Sequence, residues 1–273
     1  MHQRLLCAAR DGRAQEMADL IARGADVNAV NQAQGITVLA LACYHSNIAS
    51  QLLAAGADIN KAGHTGATPL HVASNRHCAD VLSLLLSAGA EVNKADIDGW
   101  PPMYDAVFMR NIEGVKLLSS YGATRTWPNG DTAESFAARM NRTEVLNWLV
   151  STRHWTTPLH HLEIIDAARA RALLRDGANI HAASPNVQDA PTPVSLAQEL
   201  KTAQEAPDGS PADLVLQAAR PWSRQTHALF PARARERAWA LVLIGQRLSR
   251  NEQALMDVWL DVVMPQVVMR DSA

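Results

Sequence analysis

Apolar residues recur along this chain in short bursts, three and four positions apart, and each burst is interrupted before it can grow into a long helix. Between residues 69 and 87 two such bursts are clear. Leu70 and Ala73 share one face of the first, and Leu82, Leu85 and Leu86 share one face of the second. That spacing predicts a pair of short helices, Pro69–Asn75 and Ala79–Ser87. Thr68 precedes the first as an N-cap, and Pro69 occupies the first helical position, where a missing N–H costs nothing. Ala73 is small enough for two helices to approach closely. Gly89 follows the second helix, where a left-handed residue ends it. The segment from Ala90 to Gly99 then reads as an extended, hairpin-like loop.

The same layout returns at a fixed period. Gly24-Ala25-Asp26-Val27-Asn28 is followed by Gly56-Ala57-Asp58-Ile59-Asn60 and Gly89-Ala90-Glu91-Val92-Asn93, and then by Gly122-Ala123-Thr124 and Gly177-Ala178-Asn179-Ile180. The glycines are 32, 33, 33 and 55 residues apart, so the last gap holds one more unit that has lost its glycine. A second word, Gly66-Ala67-Thr68-Pro69-Leu70-His71-Val72-Ala73, returns as Thr157-Pro158-Leu159-His160 and, more faintly, as Thr192-Pro193-Val194. A unit this small cannot bury its apolar face alone and must stack on its neighbours.

These two words, in phase, resemble the ankyrin repeat family through Gly66, Thr68, Pro69, Leu70, His71, Ala73, Val81, Leu85, Leu86, Gly89, Ala90 and Asn93. The resemblance covers residues 1–185 in about six units, with a degenerate repeat or linker over 186–220 and a C-terminal helical pair over 221–273. The units are 1–33, 34–65, 66–98, 99–129, 130–155, 156–185 and 186–220. The implied fold is an all-α ankyrin-repeat solenoid of helix-turn-helix-hairpin units with a C-terminal helical extension. Repeat two is about two residues short before Gly56. Repeat four has Pro101-Pro102-Met103-Tyr104 in place of Thr-Pro-Leu-His. Repeat five ends at Arg153-His154-Trp155 without a Gly-Ala word, a junction that can bend the array.

The resemblance also implies a role for the repeated histidine. His71 and His160 act as struts, with the imidazole and the threonine hydroxyl bonding to backbone and to each other across the turn. It implies a binding surface as well, the concave side built from hairpin tips and the ends of the first helices. By repeat position that surface carries Tyr44 and His45; His64, Thr65, Asn75 and Arg76; Ile97, Asp98, Trp100, Phe108 and Met109; and Asn129, Asp131, Arg139 and Met140. Trp100, Phe108 and Met109 stand out as large apolar residues where solvated ones are usual, and they are expected either to form an exposed anchor patch or to pack under the C-terminal segment or inside the irregular fourth repeat.

Composition narrows the function. The chain has 273 residues, 25 basic against 27 acidic, so it offers no electrostatic case for nucleic acid or an acidic membrane. Three cysteines, Cys7, Cys43 and Cys78, without a CxxC fit buried thiols in a reducing compartment, cytoplasmic or nuclear. They fall at different places in their repeats, and no ligand row or disulfide is expected of them. The first residues carry too short an apolar run for a signal peptide, and the longest run, 238–245, is far below the roughly 20 residues of a membrane span. No phosphate-binding, dinucleotide, metalloprotease, hydrolase or kinase motif is present. His160 and His161 precede Glu163 and Asp166, but adjacent helical residues point about 100° apart and do not converge on a metal. Neither a catalytic group, a cofactor nor a metal is expected; the expected partner is another protein.

Periodicity fails after about residue 220. Pro231 begins a pattern that predicts a helix to about Ser249, with Trp239, Val242, Leu243 and Leu248 apolar. Asn251 caps a second pattern with Leu255, Val258, Trp259, Val262 and Val263 on one face, ending near Pro265. Such a pair either caps the end of the array or docks a further partner. Ankyrin arrays with a short C-terminal helical box occur in ubiquitin-ligase substrate adaptors, and that adaptor role is the alternative to a plain interaction scaffold.

Overall fold

The fold was analysed in a computed structural model that describes residues 1–33, 35–185, 187, 190–203, 205–220, 226–236 and 238. Its contacts divide the chain into two units, Met1–Arg153 and His154–Ala273. The division falls where the sequence lost its Gly-Ala word.

The N-terminal unit is five helix pairs in sequence: α1 (His2–Asp11) with α2 (Ala14–Ala22), α3 (Val38–Leu41) with α4 (Ser46–Ala54), α5 (Pro69–Asn75) with α6 (Ala79–Ser87), α7 (Pro102–Phe108) with α8 (Ile112–Ser120), and α9 (Ala133–Arg139) with α10 (Thr143–Ser151). The bounds of α5 and α6 are those that the apolar spacing predicts. Gly24, Gly56, Gly89 and Gly122 all have φ between 77° and 89°, so each second helix ends in a left-handed residue that glycine adopts without strain. The hairpins are mostly loops. Among the described residues the first forms a two-residue ladder, β1 (Val30–Asn31) antiparallel to β2 (Ile36–Thr37), with Val30 opposite Thr37, and the fourth a single bridge, Thr126 to Thr132. One core runs through the unit, from Leu5, Met17 and Leu39 through Leu70, Leu82 and Leu85 to Met103, Leu118 and Leu149.

Polar ties repeat along the stack. The side-chain oxygens of Asn28, Asn60 and Asn93 accept the N–H groups of Asp58, Glu91 and Thr124 at 2.7, 2.9 and 2.8 Å. His71 receives the Thr68 N–H on Nδ1 at 3.1 Å and reaches the Trp100 carbonyl with Nε2 at 3.0 Å. A backbone N–H can only donate, so Nδ1 is the acceptor and Nε2 carries the proton.

Repeat two shows where its two residues are missing. From N-cap to second helix it spans nine positions, Thr37 to Ser46, against eleven for Thr68 to Ala79 and Thr132 to Thr143. Other repeats make this turn through a left-handed residue, Gly12, His77, Arg110 or Asn141. Repeat two closes it with a single 3₁₀ turn, Ala42–Tyr44.

The C-terminal unit holds a 3₁₀ turn (Pro158–His160), α11 (Ala167–Arg175), α12 (Pro193–Thr202), α13 (Pro211–Ala219) and a second 3₁₀ turn (His227–Leu229) around Leu159, Leu174, Val215 and Leu229. The Thr157–His160 box forms, and His160 Nε2 reaches the Pro191 carbonyl at 3.1 Å. The two helices expected in repeat six are reduced to this turn and α11. The chain leaves helical geometry so that Asp166, extended at ψ 169°, can cap α11 by accepting the Arg169 N–H at 2.7 Å. Helix backbone resumes at 232–236, after Pro231; the remainder of the expected tail pair lies outside the described residues.

Candidate functional site

The first helices of repeats two to five place equivalent residues in rows. Counting from each N-cap, Tyr44, Asn75, Phe108 and Arg139 form one row, and Leu41, Val72, Asp105 and Phe136 form another three positions earlier. Tyr44 is 62% exposed, Phe108 and Met109 are 38% exposed each, and Ile97, at a hairpin tip, is 70% exposed. Arg76 and Arg139 are also exposed. The other candidates are less free. His45 is half-buried, with Nε2 3.2 Å from the Arg10 carbonyl. Asn75 is half-buried and points its amide at Asp105, and Met140 packs on the core.

Trp100 follows the expectation of packing within the fourth repeat rather than that of a bare anchor. It is half-buried against the core, its ring stacked on Tyr104 at 4.4 Å and edge-on to Trp127 at 6.0 Å. The cause is the broken word in repeat four. Tyr104 stands where His71 stands one repeat earlier, so an aromatic ring fills the strut position. Tyr104 meets Phe136 at 4.7 Å and Trp127 at 5.2 Å. Trp127, 4% exposed, takes the hairpin position that Asp96 holds in the preceding repeat and closes the cluster from below. Rings in offset or edge contact are worth about 0.5–1.5 kcal/mol per pair beyond burial. The fourth and fifth repeats are therefore joined by aromatic packing where the third and fourth are joined by an imidazole hydrogen bond. Phe108, at the rim, stacks loosely on Tyr104 at 6.1 Å, carries Arg142 over its ring at 5.9 Å and remains 38% exposed.

Asp105 has the most perturbed carboxylate on this face. Burial pushes it up to about 6, the Asn75 amide at 3.5 Å opposes weakly, and the negative charge of Asp96 pushes the same way as burial. Neither Asp105 nor Tyr104 is among the positions that repeat alignment assigns to the binding surface. The signal was there: Asp105 interrupts a row that is otherwise Leu41, Val72 and Phe136. Nearby, Arg139 is bound to Asp131 at 2.7 Å and lies over the Phe136 ring at 5.3 Å. That hydrogen bond holds the Asp131 carboxyl below its ordinary value. His71 is pushed down by burial, consistent with its role as a neutral strut.

Cys43 and Cys78 meet, because the shortened turn of repeat two brings Cys43 against the turn of repeat three. They line a hollow of about 280 Å³ with Tyr44, Ser46 and His77. Both are free thiols; burial, then the neighbouring Cys43 sulfur, pushes Cys78 up to about 12. Among the described residues no group of three or more His, Cys, Asp or Glu converges on a point that could hold a metal. His160 and His161 are both buried, the first in its strut and the second edge-on to Trp155 at 4.8 Å. No helix of the described residues is long and apolar enough to cross a membrane.

Comparison with known proteins agrees with the geometry. A family model described as ankyrin repeats (3 copies) matches residues 5–96 and 67–124. The chain is 46% identical over 65 residues to the Neurogenic locus Notch protein of Drosophila melanogaster, a match that takes in 23% of this chain and 2% of that relative. Residues 5–124 thus resemble ankyrin repeats in both sequence and geometry. Ankyrin repeats are protein–protein interaction modules.

Proposed function

We propose that the N-terminal unit is a non-catalytic scaffold that holds another protein, in the cytoplasm or nucleus, on the face formed by its hairpin tips and first-helix ends. The observation that supports this reading is the exposure of Phe108 and Met109, side by side, with Tyr44 in the Phe108 row and Ile97 at a neighbouring tip. Large apolar groups left bare together are interface anchors far more often than idle surface. Trp100 backs the patch through Tyr104 and sets its shape. Arg76 and Arg139 form a polar rim, with Asn75, His45 and Met140 beneath. The reading needs no cofactor, metal or nucleic acid.

The test is affinity purification with mass spectrometry, using the intact chain and a Phe108→Ala, Met109→Ala double variant. A partner should be lost from the variant while its melting temperature stays within a few degrees, because two rim side chains have little packing to lose. An unchanged partner set would refute the assignment of this face. A chain ending at residue 220, compared in the same experiment, separates a scaffold from a ligase adaptor: loss of ligase components alone would favour the adaptor.

A further inference from the structure

We infer that the partner presents a basic side chain, arginine or lysine, to Asp105, next to an apolar group that covers Phe108 and Met109. The inference rests on the binding-face reading above and adds the chemistry of what binds.

The row containing Asp105 is apolar in the other repeats of this stretch, as Leu41, Val72 and Phe136. Phe136 in this row packs on Tyr104 and Phe108 of the preceding repeat, and an apolar residue there gains burial. Asp105 has exchanged that gain for a half-buried carboxylate. A carboxylate taken from water without a counter-charge is a net cost to folding. Within the chain it receives little in return. Among the described residues the one hydrogen bond offered to its side chain is the Asn75 amide, at 3.5 Å and so at the edge of bonding distance. Asp105 takes part in no ion pair among the described residues. Asp96, the charged group acting on it, has the same sign. Arg139, the nearest cation on the following repeat's row, is committed to Asp131 at 2.7 Å.

A local choice that works against folding, with no compensation inside the fold, marks a site whose compensation comes from outside. A guanidinium or ammonium set on Asp105 would form a charge-assisted bond in a site already half stripped of water, where such bonds are strongest. It would also relieve the repulsion from Asp96. The neighbouring rings suit a cation: Phe136 and Phe108 already carry the guanidinium groups of Arg139 and Arg142 at 5.3 and 5.9 Å. A metal ion does not fit, since no third ligand converges here.

The test is a random-peptide display selection against the full chain, repeated with Asp105→Asn and with Phe108→Ala, each variant first shown to melt no lower than about 5 °C below the parent. Selected peptides should pair Arg or Lys with an apolar residue. Their binding should fall about tenfold or more with Asp105→Asn, which keeps the shape and removes the charge, and also with Phe108→Ala. Peptides that depend on Phe108 but carry no basic residue, or bind Asp105→Asn equally well, overturn this inference and leave the binding face standing. Peptides indifferent to both variants, or no selected peptide at all, overturn the inference and the binding face together. A concentration-dependent dimer abolished by Phe108→Ala would show that a second copy occupies the face, which also overturns it.

Discussion

Asn60 fixes the backbone of the next repeat: its side-chain oxygen accepts the Glu91 N–H at 2.9 Å. Asn28 and Asn93 do the same for Asp58 and Thr124. The asparagine in each of the first three Gly-Ala words is thus a peg between neighbours rather than a surface residue that happens to recur.

Replacing Asn60 with Ala should therefore cost about 1–2 kcal/mol, the loss of one hydrogen bond to a backbone N–H. Asp at this position keeps an acceptor and should cost less. Urea unfolding of both variants at neutral pH checks this. Equal, negligible losses would mean that the Asn60 bond is decorative.

His71→Ala should cost about 1–2 kcal/mol at pH 7.5 through the lost bonds to Thr68 and Trp100. The sign with pH follows from its depressed pKa. The unfolded ring protonates near its ordinary value of about 6.5, while burial holds the native ring neutral. Stability from this group is present above that value and is lost as pH falls through the lower native pKa. His160 is depressed in the same direction by its own burial. Unfolding midpoints at pH 7.5, 6.5 and 5.5 should fall in the parent and fall less in His71→Ala.

Asp105 has the opposite sign. Its native pKa is raised to about 6 from 3.8, so the native state holds the proton more tightly than the unfolded chain. The stability that this proton brings is present at low pH and disappears as pH rises through about 6. Asp105→Asn should therefore be more stable than the parent by about 1–2 kcal/mol at pH 7.5, after allowing for the water that reaches the carboxylate. At about pH 3, below both the unfolded and the native pKa, the two should be nearly equal. A variant less stable than the parent at pH 7.5 would show an internal partner for Asp105.

Trp127 and Phe108 belong to one ring cluster but should respond differently. Trp127→Ala removes a buried ring touching Tyr104 and Phe136 and should cost about 3–5 kcal/mol. Phe108→Ala should cost about 1 kcal/mol or less, because its outer face is already in water. Trp100→Ala should fall between them. Thermal melts of the three variants give the order, and a reversed order of Trp127 and Phe108 would place the rim of the cluster on the wrong ring.

The fold was legible because the repeat states its rules several times. Thr68, Pro69, His71 and Gly89 each have a local backbone reason, and α5 and α6 begin and end where those reasons put them. What escaped depends on neighbours in space. Nothing around Trp100 in sequence says that Tyr104 and Trp127 will shelter it. Nothing in the spacing of Cys43 and Cys78 says that a shortened turn will bring them together. In repeat six the threonine–histidine box survived while the helix it normally starts did not, since Asp166 claims the next segment as its own cap. The candidate face was legible as a set of positions, but not as a ranking among them.

The nine-position turn of repeat two has a consequence for how the array comes apart. Between repeats three and four the turns are joined through strong acceptors: His77 reaches the Met109 carbonyl at 3.0 Å, and Asn111 donates to the Ser74 carbonyl at 2.7 Å. Between repeats two and three the turns meet through sulfur, Cys43 against Cys78 and Arg76, beside a hollow. In a stack where each repeat is coupled only to its neighbours, the weakest coupling sets where cooperativity breaks. The first two repeats would then fray as a block while repeats three to five hold, and amide exchange would be faster on α1–α4 than on α5–α8.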